Sequence, residues 1–298
     1  MSFEGSVTER LKVAILGSGN IGSDLLSKVL RSSLLECSIF IGRNEASSGL
    51  KRARDLGVKI SSKGIGAIVD EPHVCDLVFD ATSAMEHVKH DAVLKKLGKQ
   101  VIDMTPARVG PMVIPAINLE EALRERNINM VSCGGQAATP LAYAVAQTHP
   151  QVDYVEVVSS ISSYSAGPAT RTNLDEYIGT TEDALRTFTG CSRTKTILIL
   201  NPAQPAIDMQ TTVSAMVPEA DLERLGPVVD RLVSEIRRYV PGYQLLVPPV
   251  YEHNRIVMMV KVTGCGDYLP PYAGNLDIIN CAAIAAAEAY ARKVVGAN

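Results

Sequence analysis

Short apolar runs rich in β-branched residues alternate with amphipathic stretches through about the first 130 residues of the chain. The runs include Val13 to Leu16, Ser38 to Ile41 and Leu77 to Phe79, and they are separated by the amphipathic stretches Ile21 to Leu30 and Leu50 to Leu56. A strand followed by a helix and then by another strand is typical of parallel βαβ units. The pattern therefore predicts a doubly wound parallel sheet.

Two more apolar runs extend this sheet, Val101 to Asp103 and Asn129 to Val131. Between them, Asn118 to Asn127 divides its leucines and its charged residues between two faces at helical spacing. This spacing predicts a helix over the whole segment.

The pattern changes near Cys133, and from Val152 onward the predicted strands are longer and alternate apolar with polar residues. Such alternation is typical of an antiparallel or mixed sheet with one covered face. Helices are predicted over Thr172 to Phe188, over Glu219 to Tyr239 and over the alanine-rich Leu276 to Val295. The predicted fold class is therefore α/β, with a doubly wound parallel first part and a mixed α/β second part.

Composition and charge narrow the function classes. Apolar residues make up 46% of the 298 residues and charged residues 20%, as in ordinary globular proteins. The formal net charge is −3 and no basic stripe is present, which argues against a nucleic-acid partner. No apolar run approaches the roughly 18 residues needed to cross a bilayer, and MSFEGSVTER lacks the profile of a secretory signal. We therefore expect a cytoplasmic protein without a membrane segment.

A glycine-rich turn follows the first predicted strand and opens the first predicted helix. Glycines there allow a tight turn, close approach of the backbone to a pyrophosphate, and packing of the helix on the strand. This strand–turn–helix context predicts dinucleotide binding. The motif consists of Gly17, Ser18, Gly19, Asn20, Ile21 and Gly22.

The end of the second predicted strand bears on the choice between NAD and NADP. An acidic residue that binds the adenosine ribose is expected about 20 residues beyond the glycines, but the sequence there is Gly42-Arg43-Asn44-Glu45. Arg43 is of the type that accommodates the 2′-phosphate of NADP, and Glu45 is the nearby carboxylate for NAD. Arg43 as a plain surface residue is an equally good interpretation, so both cofactors stay open.

Cys133 is the candidate nucleophile among six cysteines that contain no CxxC pair. It lies where an apolar run meets two glycines and a predicted helix, so the helix dipole could lower its pKa and the amides of Gly134 and Gly135 could hold an oxyanion. We interpret the other five cysteines as packing residues, and we expect no metal site. His87 and His90 share a helix face that we expect to be solvated, and no histidine is placed as a base for Cys133.

Motifs along nearly the whole chain resemble those of the acylating acetaldehyde dehydrogenases, which convert short aldehydes to acyl-coenzyme A. They occur in the family's order, which makes the resemblance specific. The motifs are KVAILGSGNIGSDLL, DLVFDATSA, IDMTPARVGP, NMVSCGGQAATP, SAGPATRTN, ILNPAQP, YVPGY and GDYLPPYAGNLDI.

This resemblance implies a fold like that of glyceraldehyde-3-phosphate and semialdehyde dehydrogenases. It implies a Rossmann domain formed by residues 1–132 and 275–298, and a catalytic and dimerisation domain formed by residues 133–274. It also implies a homodimer and, for many members, a 4-hydroxy-2-oxovalerate aldolase partner.

The resemblance further implies roles for single residues. Cys133 matches the acyl-thioester nucleophile, and Ser18 to Ile21 match cofactor-binding positions. Asn275 matches a further cofactor contact. The second matching cofactor-binding stretch comprises Ser165, Ala166, Gly167, Pro168, Ala169, Thr170, Arg171, Thr172 and Asn173.

Two departures from the family pattern concern the proton and the cofactor. Thr211 stands where the family has an aspartate that is thought to activate the cysteine. Asp208 lies three positions earlier and would replace it only if the backbone bulges, because three steps along a strand reach the opposite face. Asn44 stands where the family usually has an aspartate, which leaves NADP open beside NAD.

The expected function is oxidation of acetaldehyde or propanal through an acyl-Cys133 thioester to acyl-coenzyme A, with NAD or NADP as the hydride acceptor. One alternative is a semialdehyde or acyl-phosphate reductase of the same fold, which needs a phosphate-binding arginine and a histidine near the cysteine. Another is a non-catalytic nucleotide-binding partner subunit.

Overall fold

The first part of the chain forms a parallel sheet of six strands in the order β3-β2-β1-β4-β5-β6. The computed structural model describes residues 10–296, apart from the side chains of Pro168 and Ala169. The predicted doubly wound arrangement is confirmed, because the strand order reverses between β1 and β4. The strands are β1 Leu11–Leu16, β2 Leu35–Ile41, β3 Ile60–Ser61, β4 Leu77–Asp80, β5 Gln100–Asp103 and β6 Asn127–Asn129.

Helices connect these strands, and one of them differs from its prediction. The helix expected over residues 118–127 begins earlier and already ends at Ala122. Asn118 interrupts it with non-helical φ, because its side chain bonds to the backbone of Ile114 and Met112. The helices of this part are α1 Asn20–Arg31, α2 Ser48–Asp55, α3 Gly66–Asp70, α4 Ala84–Lys96 and α5 Pro115–Ala122.

The second sheet is mixed, as the alternating pattern predicts. Its five strands have the order β10-β11-β9-β7-β8; β7 and β8 are parallel and the other pairs antiparallel. The strands are β7 Tyr154–Ser162, β8 Thr194–Asn201, β9 Met209–Met216, β10 Tyr243–Glu252 and β11 Arg255–Val262. The helices are α6 Cys133–Thr148, α7 Pro168–Thr172, α8 Leu174–Thr189, α9 Leu222–Tyr239 and α10 Gly274–Val295.

The two largest hydrophobic cores lie between the second sheet and its helices and between one face of the first sheet and its helices, and a third core covers the other face of the first sheet. The core of the second sheet includes Leu141 and Val145 of α6 and Leu232 of α9. The last helix, α10, instead packs its alanines into the core of the first sheet, where Ala283 and Ala287 are fully buried.

A buried ion cluster also fastens α10 to α1. The Lys28 Nζ lies 2.8 Å from Asp24, 2.9 Å from Asp267 and 2.7 Å from Asp277. Moving α10 away from α1 would leave a buried charge without its partner, which is energetically costly. The cluster therefore fixes the position of α10 against α1. Within residues 10–296, none of the helices has the length and apolar character needed to cross a bilayer.

Candidate active site

Cys133 is the first residue of α6, and a strained turn places it there. Val131 has φ of +63°, a conformation that a β-branched residue rarely adopts. The turn is fixed because the Val131 N–H donates to Asn129 Oδ1 at 2.8 Å. Ser132 then caps the helix, with its Oγ accepting from the Gly135 N–H at 2.9 Å. The sharp turn thus precedes both Cys133 and the two glycines that follow it.

The two glycines after Cys133 make room for neighbouring side chains. A Cβ at Gly134 would lie 2.1 Å from the Tyr177 hydroxyl oxygen, and one at Gly135 would lie 2.5 Å from Val131 Cγ1. The expectation that both amides hold an oxyanion needs correction, because the Gly135 N–H already donates to the Ser132 cap. The N–H groups of Cys133 and Gly134 have no carbonyl acceptor within the helix, and they hydrogen-bond to the Cys133 sulfur instead.

Cys133 lies half-buried in a cleft between the two sheets that combines apolar walls with neutral polar groups. The described residues that line this cleft include no charged side chain. Burial accordingly raises the pKa of the Cys133 thiol to about 11, although hydrogen bonds from Tyr177 and from the helix amides act in the opposite direction. The lining residues are Ile21, Ala81, Thr82, Met104, Thr105, Pro106, Ser132, Thr170, Asn173, Tyr177, Asn275, Leu276 and Ile279.

Three buried hydroxyl groups lead away from the Cys133 sulfur. The Tyr177 hydroxyl oxygen lies 3.9 Å from Cys133 Sγ, and it is hydrogen-bonded by Ser159. The Ser159 Oγ in turn lies 3.0 Å from Thr211 Oγ1. Thr211, the residue in the position of the family aspartate, therefore reaches Cys133 only through two other hydroxyl groups.

Asp208 is held elsewhere. Its carboxylate accepts from Thr263 Oγ1 at 2.7 Å and lies 3.8 Å from Lys261 Nζ, and it is absent from the lining of the Cys133 cleft. The bulge that a substitute aspartate requires does not occur in β9, whose pairing runs residue by residue from Met209 to Met216 against β11. Asp208 thus lacks the placement of a base for Cys133.

The glycine turn has the close contacts that its motif predicts. Gly17 has φ of +126°, and a Cβ there would lie 2.4 Å from the Ala81 carbonyl oxygen. A Cβ at Gly22 would lie 1.9 Å from the Gly17 carbonyl oxygen, whereas one at Gly19 meets nothing within 4 Å. Gly22 therefore lets α1 pack on the turn, and Gly19 leaves open space in front of it for a ligand.

The second predicted cofactor stretch lies next to this turn. A Cβ at Gly167 would lie 3.1 Å from Asn20 Nδ2. Thr170 lines the Cys133 cleft, Thr172 lines the cleft at the glycine turn, and Asn173 lines both. The structure thus brings the two stretches together.

Other members of the stretch hold its backbone in place. Ser165 Oγ donates to the Ser162 carbonyl at 2.8 Å, and Arg171 donates to the carbonyls of Ala166 and Ser163 at 3.0 and 2.9 Å. These contacts fix the loop from which α7 starts. The side chains of Pro168 and Ala169, also predicted to bind cofactor, lie outside the described part of the structure.

The end of the glycine-turn cleft that follows β2 carries two cationic side chains, each paired with a carboxylate. Arg43 and Lys63 line it, together with Asn44. The Arg43 guanidinium is 76% exposed and lies 3.7 Å from Glu86. Glu45, the carboxylate expected to serve NAD, does not line this cleft and lies instead 3.8 Å from Arg54.

Asn275 fits the amide end of a nicotinamide cofactor. It lines the Cys133 cleft and is only 4% exposed. No described residue donates a hydrogen bond to its buried Oδ1. Because a buried acceptor without a donor is costly, this oxygen suits a ligand that carries an N–H group.

The structure corrects the expectation that His87 and His90 are solvated. His87 is fully buried and His90 is 7% exposed. Their Nδ1 atoms lie 2.9 and 2.8 Å from one oxygen of Asp80, at the end of β4. The sequence did not reveal this, because the buried acceptor lies on a different element from the histidines.

Cys265 corrects the interpretation of the other cysteines, since it is exposed in the loop between β11 and α10. Cys75, Cys191 and Cys281 are buried and Cys37 is half-buried. Cys265, Asp267 and Asp277 lie close enough to hold a metal ion, but the Lys28 ammonium contacts both carboxylates at 2.9 and 2.7 Å. This lysine supplies the positive charge that the carboxylates need.

Sequence reasoning missed several residues of the cleft. Tyr177, Ser159 and Ser132 surround Cys133, and Met104, Thr105, Leu276 and Ile279 form its walls. A serine immediately before the candidate nucleophile is a recognisable cap signal. Tyr177 and Ser159 lie too far along the chain for any spacing to connect them to Cys133.

Similarity to known proteins agrees with this geometry. Residues 133–270 match a family model described as prokaryotic acetaldehyde dehydrogenase, dimerisation. The acetaldehyde dehydrogenase of Pectobacterium atrosepticum is 59% identical over 95% of this chain and 96% of its own length. That of Spirochaeta aurantia is 56% identical over 95% of both chains.

The fold is also that of a more distant enzyme group. The aspartate semialdehyde dehydrogenase of Candida albicans, solved with NADP, aligns with a TM-score of 0.65 and 12% identity, covering 97% of this chain and 99% of that one. The corresponding enzyme of Vibrio cholerae gives 0.63 and 13%, covering 96% and 99%. Structural likeness at this identity concerns the fold, whereas the close relatives establish the family. This chain belongs to the acetaldehyde dehydrogenase family.

Proposed function

We propose that the protein is an acylating aldehyde dehydrogenase that converts a short aldehyde, acetaldehyde or propanal, together with coenzyme A and NAD or NADP, to acyl-coenzyme A. The observation that carries the proposal is the half-buried Cys133 at the start of α6, in a cleft that shares Ala81, Thr82 and Asn173 with the glycine-turn cleft. Relatives named acetaldehyde dehydrogenase support the choice of substrate.

Cys133 forms the covalent intermediate. Its thiolate adds to the aldehyde carbonyl carbon, and the resulting alkoxide accepts hydrogen bonds from the Cys133 and Gly134 amides. Gly17, Gly19 and Asn20 would hold the dinucleotide and Asn275 would receive its amide, and the cofactor when bound would supply the hydride acceptor for oxidation of the adduct to a thioester. The thiol of coenzyme A then loses its proton to solvent and attacks the thioester carbonyl carbon, and the bond to the Cys133 sulfur breaks to release the Cys133 thiolate.

The walls of the cleft protect the thioester. Ile21, Met104, Leu276 and Ile279 are apolar and line the space around Cys133. Apolar walls disfavour water, whose attack would release a free acid instead of acyl-coenzyme A. A short aldehyde suits this lining because it carries no charge that needs a partner.

The proposed enzyme accepts NADP as well as NAD. Arg43 and Lys63 line the part of the cleft where the ribose would lie, in exposed ion pairs with Glu86 and Asp70 that a 2′-phosphate would replace, and Glu45 lies 3.8 Å from Arg54 and outside the cleft lining. An arginine binds a phosphate through a planar pair of donors, so Arg43→Ala should weaken NADP more than NAD.

The alternative of an acyl-phosphate or semialdehyde reductase lacks its expected residues. It requires an arginine for phosphate and a histidine base, and neither residue type lines the Cys133 cleft among the described residues. Acyl phosphate formed in phosphate buffer without coenzyme A would nevertheless establish it.

The experiment measures formation of reduced cofactor with acetaldehyde or propanal, with NAD or NADP, and with or without coenzyme A. We expect turnover that needs coenzyme A, and a fall of at least about a thousandfold in Cys133→Ala while nucleotide binding persists. Cys265→Ala, which removes an exposed thiol, should keep wild-type turnover. Nucleotide binding without acyl-Cys133 by intact mass spectrometry would identify a non-catalytic subunit.

We also propose the wider setting of this enzyme. Packing of α10 into the first core supports a dinucleotide-binding domain of residues 1–132 and 275–298 and a catalytic domain of residues 133–274. An aldolase that releases a short aldehyde, such as 4-hydroxy-2-oxovalerate aldolase, is the proposed partner, and the cytoplasm the proposed location. Co-purification of the two enzymes tests the partnership.

A further inference from the structure

The Cys133 thiol must ionise without help from a charged neighbour. In the described part of the chain, Tyr177 is the one titratable side chain that acts on this sulfur. Its hydrogen bond lowers the pKa of Cys133, but burial raises that pKa by more. Charged groups are likewise missing from the described lining of the cleft. Hydrogen-bond donors at the sulfur are then the main remaining way to favour the thiolate, and Tyr177 has a larger effect than the amides of Gly134 and Cys133.

The Tyr177 hydroxyl is held at the sulfur by the packing of α8 on α6. Tyr177 lies in the first turn of α8, is 7% exposed, and places its oxygen 3.9 Å from Cys133 Sγ. Only a glycine at position 134 permits this approach, because a Cβ there would lie 2.1 Å from the Tyr177 oxygen. The glycine beside the nucleophile and the tyrosine therefore form one arrangement.

Two further hydroxyl groups extend the hydrogen-bonded chain beyond Tyr177. Ser159 hydrogen-bonds to Tyr177, and Thr211 Oγ1 lies 3.0 Å from Ser159 Oγ. Ser159 is fully buried and Thr211 is 1% exposed. Each hydroxyl has a single proton, and in the arrangement we infer Thr211 donates to Ser159 and Ser159 donates to Tyr177, which leaves the Tyr177 proton for the sulfur.

We propose that Tyr177 is a catalytic residue that donates a hydrogen bond to the Cys133 thiolate, and that Ser159 and Thr211 position its hydroxyl. This inference rests on the proposed function in taking Cys133 as the nucleophile. In the resting thiol, the S–H group donates to the Tyr177 oxygen. On ionisation the thiol proton leaves to solvent, and the Tyr177 O–H turns to the sulfur.

Tyr177 itself stays protonated throughout. Burial and the neighbouring sulfur both raise the pKa of Tyr177 well above its ordinary value. The tyrosine therefore acts as a donor and not as a base. Thr211 gives the site a neutral positioning group where the related pattern has a carboxylate.

The test is the pH dependence of alkylation of Cys133 by iodoacetamide in the full-length protein, followed by peptide mass spectrometry because the chain has six cysteines. In Tyr177→Phe we expect the midpoint to rise by about one pH unit, with about tenfold slower alkylation below it, since a hydrogen bond to a charged group is lost. An unchanged midpoint overturns the proposal.

Tyr143→Phe is the matched control. Its hydroxyl lies on the same helix as Cys133 and contacts only Gln147 among the described residues, so its midpoint should equal that of the wild type. Thr211→Val removes one hydroxyl at nearly constant shape and should shift the Cys133 midpoint in the same direction by a smaller amount. This second variant keeps the proposal testable if Tyr177→Phe folds poorly. An unchanged Cys133 midpoint in Thr211→Val would contradict the role of Thr211.

Two readouts separate this inference from the proposed function. If the alkylation midpoint shifts but aldehyde yields no acyl-Cys133, the hydrogen bond stands and the proposed function fails. If Tyr177→Phe forms acyl-Cys133 with the rate and pH profile of the wild type, the function stands and the inference fails. The expected result is a lower kcat with a pH profile displaced upward and little change in the KM for the aldehyde.

Discussion

At the scale of single residues, three glycines have separate tasks in the nucleotide turn. Gly17 has positive φ. A Cβ at Gly22 would lie 1.9 Å from the Gly17 carbonyl oxygen, whereas a Cβ at Gly19 would face open space. A motif search treats them alike. Their contacts in the folded chain predict different consequences for substitution.

Gly22→Ala should destabilise the protein even without nucleotide. The added Cβ overlaps the Gly17 carbonyl oxygen, so α1 must shift from β1, and overpacking of this kind costs about 1–3 kcal/mol. Urea unfolding of the protein without ligand measures this loss, and calorimetric titration measures nucleotide binding.

Gly19→Ala is the matched control, because its Cβ meets no atom within 4 Å and its φ of −82° suits alanine. We expect wild-type stability and weaker nucleotide binding, since the methyl group occupies the space in front of the turn. Equal losses of stability in both variants would contradict the division of roles.

Features that depend on a short stretch of sequence were predictable, whereas contacts between residues far apart along the chain were not. The glycine turn and Cys133 were predicted from short stretches, and the cap at Ser132, which was missed, could have been found in the same way, since each depends on local backbone chemistry. The contact of Tyr177 with Cys133 spans 44 positions, and that of Ser159 with Thr211 spans 52. Such pairs depend on how α8 and the second sheet pack on α6, which no local pattern specifies.

At the scale of elements, a buried cluster joins α4 to the ends of β4 and β5. Asp80 accepts from His87 and His90, and the His87 Nε2 lies 3.4 Å from Asp103. Burial opposes ionisation of Asp80, but the hydrogen bonds from the two histidines outweigh it and lower the Asp80 pKa to about 2. Burial raises the pKa of Asp103 to about 6.

The pH dependence of stability follows from the direction of each shift. The lowered pKa of Asp80 contributes stability above about pH 4 that is lost as the pH falls toward 2. Burial opposes the charged form of His87, yet Asp80 and Asp103 raise its pKa. The contribution of protonated His87 to the free energy of unfolding is therefore complete below about pH 6.5. It is lost as the pH rises through the raised pKa of His87 in the folded protein.

Asp80→Asn should therefore cost more stability at pH 6 than at pH 8.5. At the lower pH it removes the partner of a protonated histidine, a loss of about 2–3 kcal/mol, and at the higher pH it removes neutral hydrogen bonds. Urea unfolding at both pH values measures the difference. Asp70→Asn on the exposed Lys63 pair is the control and should change little at either pH. An equal cost at both pH values would show that His87 is not protonated.

At the scale of the whole molecule, the second sheet has one covered and one open face. The covered face carries Val157, Val213 and Val260, all fully buried. The open face is also rich in apolar residues, and Ile197 and Ile199 on β8 are 38% and 44% exposed. The alternating sequence predicted one covered face, but apolar residues on the other face indicate a second contact surface.

The family model that covers this sheet describes a dimerisation domain, which supports a homodimer. A dimer that buries the open face accounts for its apolar residues. The double variant Ile197→Asp with Ile199→Asp places two charges on this face and leaves the fully buried core unchanged. Because like charges would meet across a two-fold interface, this variant should convert the dimer to folded monomers. Light scattering at micromolar concentration reads the mass, and circular dichroism reads the fold. Met85→Asp, at a 71% exposed position on α4, should remain dimeric, and a double variant that keeps the dimer mass would place the interface elsewhere.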